Sequence, residues 1–195
     1  MTLHNKRTGI AALIVIDVQE AFLKTLHNPS AFLHRCCFAC RAASLLEVPI
    51  VITEQVPEKL GYCHSAIIDS APVAKVFPKE TFSAMKLVEL IQHLEESNVE
   101  HLIMAGLETP ICVYQSAIEA LRLNFNVTLL TDCISGRRQE DASTVLNYLG
   151  RESNCHLLPS ESVFYSLLED ANHPKFKDFT DLVKAFHSPR QEESS

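Results

Sequence analysis

The chain has 195 residues, 47% of them hydrophobic and 21% charged, with a formal net charge of −7. That length supports one well-buried core, and nothing in the composition divides it into two domains. The negative balance argues against nucleic acid as a partner, because non-specific affinity for it comes from clustered Lys and Arg, and Arg137 and Arg138 make only a short basic patch.

Seven cysteines, an odd number scattered through the apolar pattern, follow no secretory signal and read as reduced thiols in an intracellular compartment. The cytoplasm is the expected location. A mitochondrial matrix stays open because MTLHNKRTGI is basic, although it runs directly into an apolar strand and is short for a transit peptide. No apolar run approaches the roughly 20 residues that span a bilayer, so no membrane association is expected.

In chain order, Ala11 to Ile16 is a continuous apolar run ending at Asp17. A strand without polar alternation is covered on both faces, which points to a parallel sheet. Asp17 then stands at the carboxyl end of that strand, the edge where open α/β sheets place ligands, or else it caps the next element. Gln19 and Phe22 belong to the loop that leaves it. From Pro29 to Leu46, apolar residues at helical spacing predict the first crossover helix. Cys37 and Cys40 form a CxxC within it, near Cys36 and His34, but a structural zinc site needs about four ligands and no second pair is apparent. Cys63 and His64 make an equally isolated pair.

Pro49 to Thr53 predicts the second strand, which presents Glu54 and Gln55 at the same edge as Asp17. Val73 to Phe77 predicts a third. Pro78 would stop it, leaving Lys79 at the edge. A helix is expected from near Ser83 to Leu94. His101 to Ala105, closed by Gly106, then reads as a strand, and Val113, Ala117, Ala120 and Leu121 as the helix after it. Cys112 falls at their junction. There the helix N-terminus would favour thiolate over thiol, although most cysteines are simply small buried residues. Val127 to Thr131 and Cys155 to Leu158 predict two more strands, with a helix from Glu140 to Leu149 between them. Phe164 to Leu168 and Phe179 to Phe186 read as terminal helical turns.

Apolar strands alternating with amphipathic helices predict a three-layer αβα fold with a doubly wound parallel sheet. A single domain over residues 9–187 and a polar, disordered tail over 188–195 are expected. No GxGxxG or GxxxxGK[ST] is present, so the sheet edge is not a phosphate cradle and no cofactor is implied.

Three edge segments taken together carry a resemblance. DVQ at Asp17 to Gln19, the strand-Lys at Phe77 to Lys79 and GLETPICV at Gly106 to Val113 resemble the isochorismatase-like cysteine hydrolases, over roughly residues 9–160. TEQVPEKLG at Thr53 to Gly61 is similar to the small isochorismatase-domain proteins of that family. The resemblance implies Asp17 as general base, Cys112 as nucleophile and Lys79 as third member of a triad. It implies a non-proline cis peptide between Leu107 and Glu108, with backbone N–H groups of the Leu107–Glu108 turn and of Ile111 and Cys112 as an oxyanion hole.

Pro110 departs from the family, where a polar residue is common. The absence of an Asp-x-His pair near Thr53 to Gly61 speaks against the zinc of the metal-dependent amidases, so no metal is expected. Because isochorismatases proper lack a nucleophilic cysteine, Cys112 implies hydrolysis of a small amide, carbamoyl or related C–N substrate. Phe22, Glu54, Gln55 and Tyr114 are the candidate substrate-binding residues. The family implies a homo-oligomer. A binding or scaffold protein of the same fold and a thiol-based redox protein are the alternatives.

Overall fold

Strand β1 (Ile10–Ile16) lies inside the sheet with both faces covered. In the computed structural model, which describes residues 10–187, Leu13 and Val15 point into one hydrophobic cluster and Ala12, Ile14 and Ile16 into the other, all five fully buried. Such a strand has no polar face to show, which is why its sequence is an unbroken apolar run.

After β1 come α1 (Glu20–Leu23), α2 (Pro29–Leu45), β2 (Ile50–Gln55), the short helices α3 (Pro57–Leu60) and α4 (Ser65–Ser70), β3 (Lys75–Lys79), a 3-10 turn (Ala84–Lys86) and α5 (Val88–Glu96). Strand β4 (Val99–Leu107) leads through a π-helical turn (Thr109–Val113) into α6 (Tyr114–Arg122), followed by β5 (Asn126–Ser135), α7 (Gln139–Leu149), β6 (Cys155–Leu158), α8 (Ser160–Leu168) and α9 (Phe176–His187). The strands lie in the order β3-β2-β1-β4-β5-β6, every neighbouring pair parallel. Helices α2, α4, α8 and α9 cover one face, and α5, α6 and α7 the other. The chain winds outward from β1 to β3, then returns to β4 on the far side of β1. This reversal opens a crevice at the carboxyl ends of β1 and β4, where Asp17 and the turn carrying Cys112 emerge. No helix among the described residues is long and apolar enough to cross a membrane.

Gly106 makes that close approach possible. It pairs with Ile16 at φ +129, and a Cβ there would stand 2.1 Å from the Ile16 carbonyl oxygen. Both the conformation and the space exclude a side chain.

Several predicted boundaries move. Strand β3 does not stop before Pro78: Pro78 pairs with Glu54 and Lys79 with Gln55. The strand is at the sheet edge, where one side of its backbone needs no ladder partner and proline is tolerated. Lys79 therefore leaves from within a strand, and Glu54 and Gln55 belong to β2 and are buried. The helix expected from Ser83 opens as the 3-10 turn, with Ser83 Oγ accepting from Met85 N at 3.2 Å. Strand β5 continues past Asp132 to Ser135, and the two terminal turns are the full helices α8 and α9. The polar tail and the basic opening lie outside the described residues.

Gly106→Ala should cost about 4 kcal/mol or more, at the extreme of single substitutions, because backbone rather than a flexible side chain fills the space. Urea unfolding monitored by circular dichroism would show this as a lowered midpoint or as loss of the folded chain.

Candidate active site

Asp17 ends β1 in the left-handed region, at φ 51, a conformation that Asp tolerates better than most residues. Its carboxylate is fully buried and bonded on both oxygens: Thr53 Oγ1 donates to Oδ1 at 2.8 Å and Lys79 Nζ to Oδ2 at 2.7 Å. The Lys79 ammonium also lies 2.5 Å from Gln55 Oε1, 3.1 Å from the Thr81 carbonyl and 3.2 Å from that of Phe82. Both side chains are 0% exposed. A buried charge survives only when paired and surrounded by hydrogen-bond partners, and this pair is.

The surroundings are themselves braced. Gln55 Nε2 donates to the Glu80 carbonyl at 2.9 Å. Gln19 Oε1 accepts from Gln55 N at 2.7 Å, while Gln19 Nε2 donates to the carbonyls of Gln55 and Gly61. Gln19 thus staples the loop after β1 to the end of β2, so the DVQ segment contributes a brace as well as a carboxylate.

Cys112 sits in the π-helical turn and is 3% exposed, close enough to Asp17 for that carboxylate to act on its thiol. Its pKa is pushed up to about 12, first by burial and then by the Asp17 charge; Lys79 opposes this, while the hydrogen bond to Asp17 and the Glu108 charge add to it. The expectation that the helix N-terminus would favour thiolate is therefore corrected. The free group is a thiol, because its anion would stand in a dry site beside Asp17 while Lys79 is already engaged by that carboxylate. Ser116 Oγ donates to the Cys112 carbonyl at 2.7 Å and accepts from Ala84 N at 2.8 Å, which ties the turn to the segment that wraps Lys79.

The peptide between Leu107 and Glu108 is trans, against expectation, since there is no cis bond among the described residues. The chain reverses instead through Gly106 and through Glu108 at φ −26, ψ 103. Of the amides nominated for an oxyanion hole, that of Ile111 donates to the Glu108 carbonyl at 3.0 Å and is engaged. Among the other nominated residues, Glu54 accepts from Cys63 N at 2.7 Å, and Gln55 is committed to Lys79 and Gln19. Phe22 packs against the cluster beneath α2, and the Tyr114 ring stands edge-on to Tyr148 at 6.1 Å. The CxxC thiols lie in the core of α2, with Cys37 donating to the Ala66 carbonyl at 3.4 Å. Sequence reasoning missed Thr53 and Ser116. Their only signal was a polar residue at a position that the apolar pattern reserves for the interior.

Two measurements check these electrostatics. A thiol whose folded pKa lies above its unfolded value adds stability that is complete below the unfolded value and is lost as pH rises through the folded one. With Cys112 and Cys63 each raised from an ordinary 9 to about 12, and Cys155 to about 11, Tm should fall steadily from pH 9 upward, less steeply in Cys112→Ala. Separately, Lys79→Met strands a buried carboxylate and should cost about 3–5 kcal/mol in denaturant unfolding, much of it restored by adding Asp17→Asn.

The comparisons with known proteins agree with this architecture. The isochorismatase domain model matches residues 11–160. Isochorismatase domain-containing protein 2 of Xenopus laevis is 31% identical over 174 residues, covering 89% of this chain and 83% of the relative. The structure of MAR1 ribonuclease from Caenorhabditis elegans superposes with a TM-score of 0.85 at 26% identity, covering 96% of this chain and 95% of the other. The Escherichia coli YcaC gene product, described as an octameric hydrolase of unknown specificity, does so with a TM-score of 0.78 at 18% identity, covering 91% and 93%. The family model spans well over half of the chain, and on that ground this protein belongs to the isochorismatase family and has its hydrolase fold.

Proposed function

We propose that the chain hydrolyses a small amide, carbamoyl or related C–N substrate through Asp17, Lys79 and Cys112. The observation that carries this reading is one buried carboxylate held 2.7 Å from an ammonium, with the Cys112 thiol near enough for that carboxylate's charge to raise its pKa. Asp17 takes the Sγ proton as the thiol attacks the substrate carbonyl. The negative charge passes from sulfur to the carbonyl oxygen, so a free thiolate need not accumulate. Lys79 offsets the charge of Asp17 before transfer and is held by its three other acceptors afterwards. Collapse of the tetrahedral adduct breaks the C–N bond. The acid form of Asp17 gives its proton to the leaving nitrogen, and Cys112 remains acylated as a thioester. Asp17 then accepts a proton from water, which attacks the thioester carbonyl; expulsion of sulfur, reprotonated from Asp17, frees the acid and restores the thiol. Backbone amides of the turn at Cys112 are the nearest donors for the oxyanion.

The name of the nematode relative is a ribonuclease's, but this chain carries a net charge of −7 and its adjacent basic residues come in short pairs such as Arg137–Arg138, which gives a polynucleotide backbone little to follow. The octamer described for YcaC is in keeping with a homo-oligomer here.

The test is a screen of small amides, ureides, carbamoyl compounds and isochorismate, run beside Cys112→Ala, Asp17→Asn and Lys79→Met, with intact-protein mass spectrometry to trap the acyl adduct. Turnover should fall at least about 10³-fold in each variant, and the adduct should be absent from Cys112→Ala. Hydrolysis that survives in Cys112→Ala would overturn the mechanism. A folded chain inactive on the whole panel, with no adduct, would favour the non-catalytic binding protein.

A further inference from the structure

At the amino ends of the strands, opposite the edge that carries Asp17 and Cys112, lies a cleft of about 330 Å³ that the proposed mechanism does not use. Ala11, His101, Thr128 and His156, each the second or third residue of β1, β4, β5 or β6, line it. Asp17, which follows the last residue of β1, is about 20 Å further along that strand.

The polar part of the cleft is a pair of imidazoles. The rings of His101 and His156 have their centroids 6.4 Å apart and are inclined by 27°, close enough that one small anion can reach a nitrogen of each. His101 Nε2 is 2.7 Å from Thr128 Oγ1, which anchors the ring and leaves Nδ1 for a further bond. Burial, and then His156, lower the His101 pKa below its ordinary value, so in the free chain this ring resists a proton; an anion beside it would oppose that.

Charge and polarity decide what fits. The chain has 24 acidic residues and a net charge of −7, yet among the described residues no carboxylate, lysine or arginine lines this cleft. Its other walls are mostly apolar, from Ile103, Leu158, Val163 and Leu167, and Leu158 and Leu167 are left 41% and 37% exposed. A metal ion is the poorer match. Two imidazoles fall short of the about four ligands that such a site needs, and the described residues hold no group of three metal-ligating side chains. A ligand with one negative end and an apolar body satisfies both parts of the surface.

We propose that this cleft binds a small amphipathic carboxylate, its charged end held by His101 and His156 and its hydrocarbon chain laid against Ile103, Val163 and Leu167. The site is separate from Cys112 and does not depend on the hydrolase reading. Binding favours the imidazolium form, so affinity falls as pH rises through the histidine range. His101 and His156 are the titratable groups that face the bound anion among the described residues. What β1, β5 and α8 turn toward it, Ala11, Thr128, Val163, Ser166 and Leu167, does not titrate.

The test titrates hexanoate, 1-hexanol and acetate into the full chain by ligand-observed NMR at about pH 5.5 and about pH 8.5. At the lower pH hexanoate should bind about tenfold or more tightly than hexanol, the scale of charge-assisted hydrogen bonding, and should lose that preference at the higher pH. Acetate, which has the charge without the chain, should bind at least about tenfold more weakly than hexanoate. His156→Gln, a change at an exposed position, should abolish the preference over hexanol, as should His101→Gln. If His101→Gln fails to fold, His156→Gln alone decides. Failure of hexanoate to bind, binding equal to that of either control, or a preference unchanged in His156→Gln overturns the proposal. Zinc ions that bind where hexanoate does not, and are lost in His156→Gln, overturn it in favour of a metal site.

Discussion

The buried ion pair between Asp17 and Lys79 governs the architecture of the site. Two opposite charges can be withdrawn from water only where other polar atoms complete their hydrogen bonding, and here those atoms come from several segments: Thr53 and Gln55 of β2, and the Thr81 and Phe82 carbonyls after β3. That requirement fixes the relative register of three strands. Gln55 must stand beside Lys79 in the ladder and Thr53 beside Ile16, and the parallel pairings place them so. The Gln19 staple belongs to the same set of constraints, because Gln55 can point at Lys79 only while its backbone is held.

The pair also sets the state of the thiol next to it. A helix N-terminus lowers a cysteine pKa when the thiolate remains accessible to water. Cys112 is dry, its neighbour is an anion, and the Lys79 cation is already paired with that anion. Burial thus outweighs the local dipole. The result is a thiol beside a carboxylate, and a proton passed between them would move no net charge into or out of the interior.

The contrast between what the sequence discloses and what it conceals follows from the range of the interactions. Unbroken apolar runs at β1 and β4 disclose a parallel sheet because burial on both faces is a property of each strand alone. Asp17, Lys79 and Cys112 could be nominated because each closes or follows a strand. Thr53 and Ser116 could not, since what matters about them is a partner 36 residues away in one case and 32 in the other. Pro78 misled for a related reason: its missing N–H stops a strand only if that N–H is required, and edge position is a fact of sheet order. The Cys112 thiol departs from the helix-terminus expectation because what raises its pKa, burial and a carboxylate from another strand, is not local. The trans peptide after Leu107 differs from the family expectation in the one segment where backbone shape was carried over by resemblance and not read from residues.

Rigid and adaptable parts of the site are separated in the fold. Asp17, Thr53, Gln55 and Lys79 stand on or at the ends of strands whose neighbours leave no room to shift, and Gly106 exists so that β1 and β4 can come together there. The cleft at Glu108, Pro110 and Ile111 is walled by the π-helical turn, the residues after β5 and the outer surface of α7, and its Arg side chains are largely exposed. A substitution in the first group disturbs a buried network and registers as lost stability. One in the second alters what the cleft accepts while the sheet beneath stays intact.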